Sequence, residues 1–324
     1  MNNPEPGPQT TPYDAGVATV LDPASVLLPG HDVPLGRYST VRRLLPQRSL
    51  RMVGAWCFVD HFGPDDVAGR PGMSIGPHPH TGLQTVTWLV DGEVMHRDSL
   101  GSVARITPGA MNLMSAGRGI AHSEESPTEH PPVIHGLQLW VALPESARHG
   151  EPRFDHYPEL PVLTGDGVRT TVVAGELGGQ RSPALVHTPL VGAEIVLDAG
   201  AGMRLSLESG FEYAVLAMNG TAQVADAELS PGILLYLGRG RTHLDLNGRD
   251  GARLFLLGGE PFDEPLVMWW NFVGRSHEEI LQAREDWQAQ RRFGEVHGFG
   301  GPRLLAPEMP TTRLKARTRD GGIL

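Results

Sequence analysis

The feature that most constrains this chain is a repeat: its two halves follow one strand-and-turn grammar. Thr81-Gly82-Leu83-Gln84 through Val90-Asp91-Gly92 parallels Ser209-Gly210-Phe211-Glu212 through Met218-Asn219-Gly220 at a constant offset. Thr107-Pro108-Gly109 is echoed by Ser230-Pro231-Gly232, and Gly117-Arg118-Gly119 by Gly238-Arg239-Gly240. A histidine follows three residues beyond each of the last pair, His122 and His243. Within the copies the apolar runs are short, β-branched and alternating, as in Leu83 to Val90 (LQTVTWLV) and His135 to Leu143 (HGLQLWVAL). Such runs suit a pleated sheet, and the Asp-Gly, Asn-Gly and Pro-Gly pairs between them are turn signals. Asp91-Gly92 reads as a hairpin turn, with the return strand starting over Glu93 to His96. Abundant glycine (41) and proline (28) favour the same many-turned chain. A repeated antiparallel unit predicts an all-β fold of two jelly-roll β-barrels.

One helix stands apart. Ser276 and Glu279 form an S-x-x-E capping box, and Ile280, Ala283 and Trp287 then fall on one face. The expected organisation is a poorly ordered tail (residues 1–22), a first barrel (23–150), a second barrel (151–265), a C-terminal segment with the helix (266–300) and a basic tail (301–324). The last carries Arg303, Arg313, Lys315, Arg317 and Arg319. Its ordinary fate is solvation, and its sharper use is docking an acidic partner.

Charge and cysteine content narrow the function. A formal net charge of −10 argues against non-specific nucleic-acid binding. No apolar run of membrane-spanning length occurs, and the start MNNPEPGPQTTPYD has no basic, apolar leader character. Cys57 is the only cysteine, so no intrachain disulfide forms, which fits a reducing cytoplasm. Ser-His-Asp ordering, a phosphate-binding glycine loop and CxxC are all missing, which leaves metal chemistry as the main candidate.

His78-Pro79-His80 and His122-Ser123-Glu124 carry that chemistry. In an extended chain residues i and i+2 share a face, so each pair aims two side chains at one point. Pro79 has no N–H and belongs near a sheet edge or barrel rim, where an open site can form. Gly117-Arg118-Gly119 supplies a bend that aims the second pair inward. A lone His-x-His is commonly a surface feature, and a lone His-x-Glu is a weaker signal still; both in one repeat unit are a different matter. The second half is a control: Ser206 and Glu208 occupy the places of His78 and His80, and His243 stands alone. Three nitrogens and one oxygen suit iron, manganese, nickel, copper or zinc alike.

HPHTGLQTVTWLVDG (78–92), SAGRGIAHSE (115–124) and HGLQLWV (135–141) together resemble the pirin family, a bicupin branch of the cupin superfamily. The resemblance covers most of residues 30–290. It implies one iron ion in the N-terminal cupin, held by His78, His80, His122 and Glu124, and a C-terminal cupin without metal. It implies either a quercetin 2,3-dioxygenase-type oxidoreductase acting on a flavonol-like molecule and dioxygen, or a regulatory protein with a protein partner. In the enzyme, Glu124 would also take the substrate proton. One departure is Gln84, where an acidic residue is common; it is expected to alter hydrogen bonding behind the ligands. Elsewhere, His96 and His135 are expected as partly buried histidines bonded to backbone, and His61 as part of a turn. Arg118 is expected in a salt bridge or facing an anionic substrate, Cys57 as a small buried hydrophobe, and Trp269 and Trp270 between the barrels.

Overall fold

The structure is a computed structural model, and it describes residues 19–20, 25–35 and 39–319. The chain forms two antiparallel barrels, each built from a large and a small sheet. In the first, the large sheet runs Arg153–Tyr157, Met111–Ser115, Leu83–Asp91, Val133–Ala142, Trp56–Asp66, Ser39–Leu45 and His31–Leu35. Its small sheet runs Ser74–His80, Ile120–Glu125, Val94–Asp98 and Val103–Ile106. The second barrel repeats the plan, with Glu212–Gly220 between Ile233–Arg239 and Ala252–Gly259 in its large sheet, and Ala201–Ser206 beside His243–Gly248 in its small one. No helix among the described residues is long and apolar enough to cross a membrane.

Asp91-Gly92 is a corner rather than a hairpin turn. Leu83–Asp91 lies in the large sheet, whereas Val94–Asp98 pairs only within the small one. Gly92 turns the chain at φ +88°, and Gly220 does the same in the second barrel at φ +68°. Turn chemistry fixes the local reversal but not the partner strand, so a jelly-roll corner and a hairpin look alike in sequence.

The large sheets pack back to back. Leu83–Asp91 is buried on both faces along most of its length. One core cluster joins Trp56, Val86, Trp88 and Trp140 of the first barrel to Ala214, Leu216, Phe255 and Leu257 of the second. Buried indoles need acceptors, and these cross the interface. Trp56 Nε1 donates to Val191 O (3.1 Å) and Gly258 O (3.2 Å), and Trp88 Nε1 to Glu194 Oε1 (3.0 Å). A Cβ at Gly192 would stand 2.9 Å from Trp56 Cζ2, so glycine there admits the indole.

Strands cross the boundaries expected from sequence. Val26–Pro29 pairs with Ile233–Arg239 in the second barrel's sheet, and Arg153–Tyr157 pairs with Met111–Ser115 in the first. Of the tail expected at residues 1–22, Thr19–Val20 pairs with Val26–Pro29; residues 1–18, 21 and 22 lie outside the described residues. The basic tail is tethered to the fold at several points across residues 301–319, although most of its residues stay exposed. Arg303 donates to Trp287 O and Gln288 O, Arg313 pairs with Glu278, Arg317 exchanges backbone bonds with Leu266, and Arg319 pairs with Glu212. The acids that this basic run meets belong to its own chain.

The helix spans His277–Gln288, with Ile280, Ala283 and Trp287 buried. Ser276 Oγ accepts from Glu279 N (3.2 Å), as a cap should. The Glu279 carboxylate accepts from Arg275 N (2.8 Å) and the Arg148 guanidinium, completing the box one residue early. Just before the helix, Val267–Trp269 and Phe272–Gly274 form a hairpin. Its tip lies over the first barrel: Val273 N donates to Thr81 O (3.0 Å), and Trp270 and Phe272 cluster with Ala121, Trp287 and Phe293. Trp270 thus packs on the first barrel's small sheet, not between the barrels, while Trp269 packs beside it.

Candidate metal centre

Ser74–His80 and Ile120–Glu125 are neighbours in the small sheet, with His122 opposite His78 and Ile120 opposite His80. The i, i+2 spacing brings His78 and His80 to one face, as expected, and His122 meets both. The three rings make a compact triangle, with centroids 5.0, 4.4 and 5.0 Å apart. Each offers a ring nitrogen, and the three atoms lie within 4.8 Å of one another. His80 Nε2 and His122 Nε2 face each other at 3.1 Å. Two ligands at right angles on a metal with bonds of about 2.1 Å stand about 3 Å apart, so this spacing fits a metal. The imidazoles are 1–2% exposed. Burial drives the His78 pKa down to about 4 and those of His80 and His122 well below the usual value, the latter two also by mutual repulsion within the triad. Neutral imidazoles with bare nitrogens are what a cation requires.

Glu124 reaches this region differently. The register slips between His122 and Glu124, so Glu124 lies opposite Ile75. It is not one of the three residues whose donor atoms converge. Oε1 lies 3.2 Å from the Thr87 hydroxyl, which also lies 3.1 Å from Gln138 Oε1. Oε2 is buried with no partner. A buried carboxylate oxygen without a hydrogen bond is costly, and burial raises the Glu124 pKa. A nearby cation would remove both penalties. The donor set therefore fits a divalent metal: three imidazoles in position and one carboxylate with a spare oxygen.

The far ring nitrogens are engaged as well. His78 Nδ1 lies 2.9 Å from Gly76 O, and His80 Nδ1 lies 3.2 Å from Asn271 O at the hairpin tip. His122 Nδ1 lies 3.3 Å from His96 Nδ1, and His96 Nε2 lies 3.1 Å from Asp98 Oδ2. His96 is therefore bonded to side chains, not to backbone as expected. The motif His96-Arg97-Asp98 could have exposed this pair, since it has the same i, i+2 spacing as the triad motifs. Nothing local marks Asn271, which arrives from 191 residues downstream.

Other expectations change. Gln84 donates to Ser115 Oγ (2.8 Å) and Leu185 O (2.9 Å). It shares the Trp88 face of its strand, toward the second barrel, while Thr87 faces Glu124. Its hydrogen bonds are therefore not behind the triad. His61 lies within Trp56–Asp66 rather than in a turn, and its Nε2 is 2.8 Å from His135 Nε2. Arg118 makes an exposed pair with Glu151. Cys57 is buried, and burial pushes its thiol up to about 12. In the second barrel Ser206 pairs with His243, as His78 pairs with His122, yet both are exposed. The buried positions beside them are Leu205 and Leu244, part of an apolar core. Among the described residues, His78, His80 and His122 are the one group of three metal-capable side chains.

Residues 38–141 match the family model described as Pirin, and residues 192–294 that described as Pirin C-terminal cupin domain. A Pseudomonas aeruginosa protein named as a putative quercetin 2,3-dioxygenase is 47% identical over 278 residues, covering 85% of this chain and 88% of that protein. Human pirin is 33% identical over 257 residues, covering 76% of this chain and 86% of its own. A crystal structure of a quercetin 2,3-dioxygenase from Acinetobacter baumannii superposes with a TM-score of 0.86 at 42% identity, covering 90% of this chain and 97% of that one.

Proposed function

From the premise that this chain belongs to the pirin family, we propose that it holds one metal ion, iron first, at His78, His80, His122 and Glu124, and acts as a quercetin 2,3-dioxygenase-type oxidoreductase on a flavonol-like molecule. The observation that carries this reading is the convergence of three buried imidazoles beside an unpartnered carboxylate oxygen. The names of the Pseudomonas and Acinetobacter relatives support the reaction class. When bound, the metal supplies Lewis acidity toward the substrate oxygen and a redox link to dioxygen. His78 and His80 orient their Nε2 atoms through backbone acceptors, and Glu124, the one carboxylate beside the triad, would take the substrate's hydroxyl proton on release from the metal. The near-complete burial of the triad excludes bulk water.

That burial also favours a second reading, a metal-dependent regulatory protein, because the hairpin tip lies over the first barrel beside His80. One experiment separates the two: metal analysis of the purified protein, then oxygen uptake with quercetin, normalised to bound iron. Uptake matched by quercetin loss supports the enzyme. Iron-loaded protein with no turnover on quercetin or related flavonols sinks it, and partner capture with oxidised and reduced iron would follow.

A further inference from the structure

We infer that Asp98, acting through His96, is the positioning residue that decides which ring nitrogen His122 presents to the metal; the inference rests on the metal-centre reading above. His78 and His80 need no such help. Their Nδ1 atoms face carbonyl oxygens, which only accept, so the proton stays on Nδ1 and Nε2 is bare. His122 has no carbonyl. Its Nδ1 faces another imidazole at 3.3 Å, and an imidazole can donate or accept. His96 alone therefore settles nothing.

Asp98 settles it. Its Oδ2 lies 3.1 Å from His96 Nε2, and a carboxylate only accepts. His96 must then hold its proton on Nε2, leaving Nδ1 to accept from His122 Nδ1–H. His122 Nε2 is left bare, toward His78 and His80. The carboxylate is fixed in turn: its Oδ1 accepts from the backbone N–H of Leu100 and of Ser102, each at 2.9 Å. The His96 ring stacks on Phe154 with centroids 4.1 Å apart and 10° between planes. The sheet register places Asp98 opposite His122 and His96 opposite Glu124. All members are buried, so no water competes for the protons. Two ligands are thus set by backbone, and the third by a carboxylate two hydrogen bonds away.

The test is Asp98→Asn, which preserves shape. The two backbone N–H groups hold the asparagine oxygen, so its NH₂ must point at His96 Nε2. His96 then carries its proton on Nδ1, facing His122, and His122 is driven to hold its own on Nε2, where the metal belongs. We expect cobalt(II) affinity, read by visible absorption against a competing chelator, to fall about 10- to 100-fold. Circular dichroism should stay unchanged. His96→Gln is the companion variant: its NH₂ can satisfy Asp98 while its carbonyl accepts from His122, so affinity should fall less. A merely structural role predicts the opposite order, because asparagine is the gentler change in shape. If the wild type binds cobalt(II) and Asp98→Asn binds it equally well, or if His96→Gln is the more damaging, the relay is wrong. If the wild type takes up no cobalt(II), the metal-centre reading itself falls.

Discussion

At the scale of single residues, Glu124 carries the sharpest functional prediction. An amide in its place can still offer an oxygen to a metal but has neither the charge nor the basicity of a carboxylate. Glu124→Gln should keep much of the bound iron and lose turnover by about 10²- to 10⁴-fold, the usual worth of a general base. Quercetin-dependent oxygen uptake per iron within twofold of wild type would remove Glu124 from the proton path. A second prediction concerns His61, remote from the ligands, whose pKa falls to about 4 through burial and then through His135. The folded pKa lies below the ordinary value of 6.5, so the unfolded chain binds more protons between pH 6.5 and 4. The neutral pair's stability is present above pH 6.5 and is lost as pH falls toward 4. Urea unfolding across that window should show a slope shallower in His61→Gln by up to about 1.4 kcal/mol per pH unit. Equal slopes would mean that His61 titrates normally. The triad was legible because alternate residues of a strand share a face, which needs no knowledge of the fold. Glu124 was less so, because the register slip before it breaks that parity. Gln84 was misread for the converse reason: its odd offset from Thr87 turns it toward the second barrel.

At the scale of elements, the hairpin Val267–Gly274 is the piece that local signals could not place. Its two tryptophans read as generic interface packing, yet its tip supplies the carbonyl that faces His80. Two facts tie the tip down: Phe272 is fully buried, and its ring packs 5.4 Å from Trp270 and 5.8 Å from Phe293. Phe272→Ala should cost about 3–5 kcal/mol through the cavity left behind. If the hairpin positions His80, cobalt(II) affinity should fall too, although residue 272 donates no ligand atom. A lower melting temperature with unchanged affinity would reduce the hairpin to a cover. The helix that follows was readable in advance, because Ser276 and the spacing of Ile280, Ala283 and Trp287 are local features. The corner at Gly92 was not, since which sheet a strand joins is decided by residues far along the chain.

At the scale of the whole molecule, each barrel completes the other. The repeat announced two similar units, and both family models respect that division. What a repeat cannot announce is exchange between the copies. An early strand, Val26–Pro29, joins the second barrel's sheet, and a late segment returns over the first barrel's Ser74–His80 strand, where Leu304 N donates to Pro77 O. Between them lies a shared core in which Trp56 and Trp88 of the first unit find their acceptors only in the second. Dividing the chain after the Arg153–Tyr157 strand would leave those N–H groups unpaired, expose the Trp88 face of Leu83–Asp91 and remove the hairpin that faces His80. An unpaired buried donor costs about 1–3 kcal/mol, and a large exposed apolar face costs more, against a net stability of about 5–15 kcal/mol for a folded domain. The barrels should therefore melt together. Calorimetry of the full chain should give one transition whose calorimetric and van't Hoff enthalpies agree, and residues 1–158, which keep the Arg153–Tyr157 strand of the first barrel, should show no cooperative melt and no cobalt(II) uptake when expressed alone. Two resolved transitions, or a first unit that folds and binds metal by itself, would show that the shared core is an accessory to two independent barrels.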